Sequence, residues 1–271
     1  MSDAAADLVR SDQYPIDRVD DPRRTELIKR LRAELDSRQI CVLPDFITEL
    51  AREGLIAEAM ERLPQAYRNR SHRTCFLSRE ADPSVPADHP RNTFFDASYR
   101  MMAYDLFGEG TALRRLYRWP ALSAFVAEVV GAKRLYLNED RYQPANVLAY
   151  GDGDQSTWHF DRGNDFTVTL MLQAPEAGGA FELAPEILDE DDPSMSRLAA
   201  LLAGRSSDVT RVDRVPGALV IFRGDRSVHR VAPVKGDTLR LMAVMVFEPK
   251  PGVIGRPEVN LTVYGPRVAT A

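Results

Sequence analysis

The sequence predicts a mainly β fold with flanking helices, of the sandwich or jelly-roll kind, and three observations predict it. Short segments rich in Val, Tyr, Phe, Leu and Thr follow one another after Gly131, over 134–137, 145–150, 166–173, 180–183, 218–222, 228–231 and 238–247. Tight-turn residues separate them: Gly151-Asp152-Gly153-Asp154, Gly178-Gly179, Pro216-Gly217, Arg223-Gly224-Asp225 and Lys235-Gly236-Asp237. Many short strands joined by such turns are the pattern of sandwiched or closed β-sheets. Helical spacing of apolar residues falls almost wholly before Gly131.

Taken in order, residues 1–22 lack periodicity and read as a mobile tail or a capping arm. From Arg24 to Arg38 the positions Leu27, Ile28, Leu31 and Leu35 predict a helix, which feeds a short apolar strand over 39–44 ended by Pro44. Thr48 is placed to cap a second helix reaching Glu61. Residues 64–92, rich in Arg, Ser, Pro and Asp, read as one long loop of the kind that covers a functional site. A helical region over 113–130 has Pro120 in the first turn of its second part. A helix over 193–204 is inserted among the strands, with Asp189-Glu190-Asp191-Asp192 as its solvated entrance. The expected organisation is a tail (1–22) and a single domain (23–271), with a helical part over 23–131, a jelly-roll core over 132–250 and a C-terminal segment over 251–271.

Composition narrows the function. With 44% hydrophobic and 28% charged residues, the 271-residue chain is that of a folded protein. A net charge of −5 offers no basic footprint for nucleic acid. No segment approaches the roughly 18 apolar residues that span a bilayer, so a cytoplasmic location is expected, with no membrane partner; a homodimer is left open. Cys41 and Cys75 form no metal-binding or redox motif and are expected to be reduced, structural thiols.

The four histidines are His72, His89, His159 and His229. In Trp158-His159-Phe160-Asp161, positions i and i+2 of an extended segment share a face, so His159 and Asp161 can converge on one ion. Alone this signal is weak, since a His-x-Asp triplet arises by chance in roughly a quarter of such chains. Context comes from 226–240. If Lys235-Gly236 forms a two-residue hairpin turn, His229 faces Met242 and Arg240 lies on the same face, roughly 7 Å along the strand; a single bulge would reverse that parity. Two histidines and a carboxylate form the facial triad of non-haem iron(II). Zinc hydrolases use similar ligands, but they give no reason for an interior arginine. Arg240 offers a rigid fork for an anionic carboxylate; the plain alternative is an internal salt bridge.

At these residues the sequence resembles the iron(II)/2-oxoglutarate oxygenase superfamily: His-x-Asp, a distal histidine, and an arginine eleven positions beyond it. The likeness runs over 146–249, including Gly178-Gly179, the run Val215 to Phe222, and His229-Arg230-Val231 followed by Pro233-Val234. Residues 158–183 and the ending Val263-Tyr264-Gly265 are similar to the branch of free amino-acid hydroxylases and carrier-independent amino-acid halogenases. The resemblance implies a double-stranded β-helix (jelly roll), Fe(II) held by His159, Asp161 and His229, 2-oxoglutarate with its far carboxylate on Arg240, O2 as oxidant, and succinate and CO2 as products. It also implies a small-molecule substrate, a free amino acid or a derivative, and its hydroxylation, desaturation or cyclisation rather than halogenation, because the halogenases of that branch carry a small residue where this chain has Asp161. A metal-containing jelly roll that only binds a ligand is the non-enzymatic alternative.

Around the triad, Asn146 and Tyr150 are candidates to contact the co-substrate, with core packing the alternative. Glu139 and Asp140 are candidates for a substrate ammonium, against a solvated turn. Arg73 and Arg91 are candidates to clamp a substrate carboxylate, and Trp158 to wall the pocket or pack beside it.

Overall fold

The computed structural model describes residues 5–163, 165–189, 191–212 and 215–270. Its first part carries α1 (Pro22–Arg38), β1 (Ile40–Leu43), α2 (Glu49–Arg62), β2 (Tyr67–Thr74), β3 (Phe94–Met102), α3 (Ala112–Arg118) and α4 (Pro120–Val130). Then come β4 (Tyr136–Leu137), β5 (Ala145–Tyr150), β6 (Thr167–Gln173), β7 (Ala177–Gly178), β8 (Phe181–Ala184), α5 (Ser196–Leu202) and β9 (Thr210–Val212). The chain continues through β10 (Leu219–Phe222), β11 (Val228–Val231), β12 (Val234–Lys235), β13 (Arg240–Met245), β14 (Phe247–Glu248) and α6 (Pro257–Tyr264).

Helix limits follow local chemistry. The Asp21 carboxylate accepts from the Arg23 amide and Pro22 opens α1. The Thr48 hydroxyl accepts from the Ala51 amide at the start of α2, and Gly131, at φ 78°, ends α4 in a left-handed cap.

The large antiparallel sheet has the order β1-β10-β6-β13-β5-β3-β2, and a smaller one the order β11-β8-β9, with β12-β7 and β14-β4 as short pairs. Alternation along the central strands explains why so many of their residues are buried. In β10, Leu219 and Ile221 join the core beneath the helices, whereas Val220 and Phe222 pack toward the small sheet. The same division places Val147 and Ala149 outward and Leu148 and Tyr150 inward on β5, and Leu241 and Ala243 outward of Met242 on β13. A sheet covered on both faces reads as an unbroken apolar run. This is the expected mainly β, jelly-roll architecture: two sheets enclose a cavity, and helices close the outer face of the larger one.

Three local expectations need correction. Residues 64–92 are not one loop, because β2 pairs with β3 from Tyr67↔Met101 to Thr74↔Phe94. The strand alternates arginine and histidine with Tyr, Asn and Ser at the sheet edge, so it carries no apolar period to read. Secondly, β11 does not form a hairpin with β13: it pairs with β8, His229 opposite Leu183, while β13 lies between β5 and β6 with a register shift at Leu241/Met242. The Lys235 segment instead pairs with β7. Finally, the 238–247 segment breaks at Val246 into β13 and β14. At the N-terminus, Leu8, Val9, Tyr14 and Ile16 are buried, and the Arg10 amide bonds the Phe46 carbonyl. Glu190 and residues 1–4 lie outside the described residues.

Candidate active site

His159 and His229 face one another across the fold because their backbones form an isolated antiparallel bridge: the His159 amide donates to the His229 carbonyl at 2.9 Å, and the return bond is 3.0 Å. Their rings are 4.3 Å apart between centroids. Each ring has Nδ1 within hydrogen-bond distance of the carbonyl two residues earlier, Thr157 at 2.8 Å and Ser227 at 2.9 Å. A neutral imidazole whose Nδ1–H donates there keeps the Nε2 lone pair free for an ion. Both Nε2 atoms converge on Asp161 Oδ1, at 3.6 and 3.5 Å. These three residues form a group able to hold a metal ion.

The electrostatics suit a ligand set. Burial, then the neighbouring His229, pulls the His159 pKa down to about 4, so its ring is neutral at pH 7. Burial alone would raise the Asp161 carboxyl, but His229, His159 and the Thr167 hydroxyl outweigh it and hold it well below the usual range. The second carboxylate oxygen, Oδ2, accepts from the Thr167 hydroxyl. The Asp161 amide donates to Gly224 at 2.8 Å, and a Cβ at Gly224 would lie 2.1 Å from Oδ2. Only a glycine fits that contact.

The cluster opens on a cavity of about 210 Å³ between the sheets. Phe181 and Phe222 flank His229 at 5.6 and 4.8 Å, while Asn146, Tyr150, Thr169 and Met242 form other walls. Behind Met242 and Tyr150 stands Arg240, fully buried. Its Nε donates to the Gly179 carbonyl at 3.1 Å, its guanidinium lies 5.4 Å from the Tyr150 ring centre, and its terminal nitrogens face the Met242 sulfur at 3.7 and 3.8 Å. Among the described residues no carboxylate pairs with it. An uncompensated buried cation is costly, and this one calls for an anion from outside the chain. The Thr169 hydroxyl and Asn146 Oδ1, both on the cavity wall, are buried with no hydrogen-bond partner among the described residues. An oxygen-rich anion would accept from the Thr169 hydroxyl, whereas Asn146 Oδ1, an acceptor, calls for a donor such as water or a substrate N–H. The residues therefore fit both an iron(II) ion and 2-oxoglutarate.

A family model described as Halogenase D matches residues 23–253. The chain belongs to the Halogenase D family. Its fold is that of the 2OG-Fe(II) oxygenases: a 2OG-Fe(II) oxygenase family oxidoreductase from Burkholderia pseudomallei superposes with a TM-score of 0.52 at 15% identity, over 83% of this chain and 92% of that one. SnoN, an alpha-ketoglutarate-dependent epimerase from nogalamycin biosynthesis, gives 0.56 at 16% identity over 83% and 81%. A prolyl-4-hydroxylase from Pseudomonas putida gives 0.50 at 15% identity over 80% and 97%. No curated protein sequence matches the chain.

In this Halogenase D family member the remaining candidates divide. Asn146 and Tyr150 line the cavity. Arg73 sits on β2 with its Nε buried and unpartnered among the described residues, and its charge contributes to lowering the His159 pKa. Arg91 pairs with Asp82 at 3.3 Å and does not line the cavity. Trp158, one residue from His159, points the other way, beneath the Arg230 guanidinium at 4.5 Å and beside a second cavity. Neither Glu139 nor Asp140 reaches the site. Glu139 accepts from the Gly252 amide, and the buried Asp140 carboxylate is consumed by the amides of Tyr142, Gln143 and Gly255 and by Asn260 Nδ2. Asp140 thus pins the C-terminal segment rather than a substrate. Thr167, Thr169 and Gly224 escaped the sequence reading. The alternation Thr167-Val168-Thr169 within an apolar strand was an available signal for the first two; Gly224 looked like an ordinary turn.

No helix among the described residues is long and apolar enough to cross a membrane.

Proposed function

We propose that the chain is an iron(II)- and 2-oxoglutarate-dependent dioxygenase that hydroxylates, or otherwise oxidises, an unactivated carbon of a small polar metabolite, a free amino acid or a derivative. The observation that carries it is Arg240: a fully buried guanidinium without a carboxylate partner, next to a cavity that holds two imidazoles and one carboxylate. An internal salt bridge, the plain alternative for an interior arginine, has no counterpart among the described residues.

His159, Asp161 and His229 would hold the iron, and Arg240 would take the far carboxylate of 2-oxoglutarate bidentately. Iron with 2-oxoglutarate and O2 supplies oxidation of a carbon–hydrogen bond, with succinate and CO2 formed. The chain supplies orientation. The carbonyls of Thr157 and Ser227 fix the tautomers and ring planes of the histidines. Phe181 and Phe222 keep water from the imidazole faces, and Asn146, Tyr150 and Thr169 give the co-substrate polar neighbours. Arg73, outside the cavity lining but close enough for its charge to act on His159 and with Nε unpartnered among the described residues, is the residue we assign to a substrate carboxylate. With Glu139 and Asp140 engaged elsewhere, the substrate's amino group needs another partner.

The family name points to halogenation as the second reading. Against it stands Asp161, whose Oδ1 is turned toward both Nε2 atoms and fills the position that a halide would need. Purified protein given iron(II), ascorbate and 2-oxoglutarate is expected to form succinate with one of a panel of free amino acids, and the product to gain 16 mass units of oxygen. Chlorine in the product under saturating chloride establishes the second reading instead. Failure of every amino acid with turnover on another metabolite removes the substrate class alone.

A further inference from the structure

The two oxygens of the Asp161 carboxylate have different surroundings. Oδ1 is aimed at the ion site, 3.5 and 3.6 Å from the two Nε2 atoms. Oδ2 is turned away: it accepts from the Thr167 hydroxyl on one side, and on the other the Gly224 α-carbon leaves no room even for a methyl group, at 2.1 Å. The bond from the Asp161 amide to Gly224 fixes the backbone at that spacing.

We propose that Thr167 is a positioning residue that keeps Asp161 a one-oxygen ligand and so preserves the last open position on the ion; this rests on the iron and 2-oxoglutarate reading above. The count of positions makes the consequence. A six-coordinate ion bound by two imidazoles and one carboxylate oxygen keeps three positions open. A chelating 2-oxoglutarate takes two, which leaves one for a diatomic ligand. A carboxylate that bound through both oxygens would occupy that last one. Gly224 blocks displacement of the carboxylate but has no side chain to stop its rotation; among the described residues the Thr167 hydroxyl is the donor that holds Oδ2 away. Thr167 is well placed for this because β6 pairs it with Phe222 on β10, a wall of the same cavity.

The test uses nitric oxide as a stable substitute for O2, titrated anaerobically into protein loaded with iron(II) and 2-oxoglutarate and followed by electron paramagnetic resonance. Thr167→Val, which keeps shape and removes the hydroxyl, is expected to bind nitric oxide about tenfold or more weakly, the scale of one lost hydrogen bond to a charged group, with iron(II) and 2-oxoglutarate affinities unchanged. Thr167→Ser is expected to match the wild type. Unaltered nitric oxide affinity in Thr167→Val overturns the proposal, as does a Thr167→Ser protein as weak as Thr167→Val. Should Thr167→Val fail to fold, Thr167→Ala carries the same expectation. A wild-type protein that binds neither iron(II) nor 2-oxoglutarate overturns the oxygenase reading together with this one, whereas normal loading with indifferent nitric oxide binding overturns the role of Thr167 alone.

Discussion

Replacing Arg240 by methionine should move two quantities in opposite directions. Without ligand, the wild-type guanidinium is fully buried, and among the described residues it meets the Met242 thioether and the Tyr150 ring but no carboxylate. Exchanging even a paired buried charge for apolar side chains of similar volume is often neutral or stabilising by about 1–4 kcal/mol, and the same scale is taken for this guanidinium, which has no carboxylate pair to lose among the described residues. The lost bond from Nε to the Gly179 carbonyl takes back about 1 kcal/mol. The ligand-free variant should therefore be more stable by up to about 3 kcal/mol, which raises Tm by up to about 10 °C. Co-substrate binding moves the other way. Two charge-assisted hydrogen bonds are worth about 1.5–3 kcal/mol each, so the Kd for 2-oxoglutarate should rise by about 10²–10⁴-fold. Thermal denaturation with and without 2-oxoglutarate, on iron(II)-loaded protein under argon, reads both: saturating ligand raises the wild-type Tm by mass action and leaves that of the variant in place. A variant that melts lower than the wild type and still binds 2-oxoglutarate normally would refute the reasoning, because Arg240 would then be a structural cation.

Three further outcomes are expected. Gly224→Ala drives a methyl group onto the Asp161 carboxylate, so its iron(II) affinity, measured by competition with a chelator, should collapse while circular dichroism stays native. Asp140→Ala removes an acceptor of four hydrogen bonds, two from amides within 140–143 and two that tie this turn to Gly255 and α6; it should cost about 2–4 kcal/mol of stability in chemical denaturation and leave 2-oxoglutarate affinity untouched. The metal-free protein should lose stability as pH falls from about 6.5 to about 4: burial lowers the folded-state pKa of His159, so the unfolded chain takes up the proton first. Asp161, also lowered, extends the loss to still lower pH. Denaturation midpoints measured across that range should fall in the wild type and much less in His159→Gln; parallel curves would contradict this.

The sequence disclosed the parts of this protein whose physics is local. Strands buried on both faces, such as β5 and β10, announce themselves as apolar runs between turn residues, and the cap at Thr48 follows from a single side chain. His159 and Asp161 share a face by simple alternation. What failed depended on pairing at a distance. Arg240 does stand by the cavity with His229, but not through a β11–β13 hairpin; the two approach from opposite sheets, and turn chemistry at Lys235-Gly236 carries no information about that. The β2 strand was hidden because an edge strand whose residues alternate between exposed and half-buried needs no apolar residues. Asp140 looked available because a carboxylate beside a strand resembles a ligand holder, whereas its acceptor capacity is spent on amides more than 100 residues later in the chain as well as nearby ones.

The most direct measurement of the central claim is an anaerobic titration of 2-oxoglutarate into iron(II)-loaded protein, followed by the charge-transfer absorption that appears when the keto acid chelates the metal. The expected result is a saturable band with one equivalent bound in the wild type and none in His229→Ala. Absence of the band in the wild type, or its equal appearance in His229→Ala, would contradict a site built on His159, Asp161 and His229.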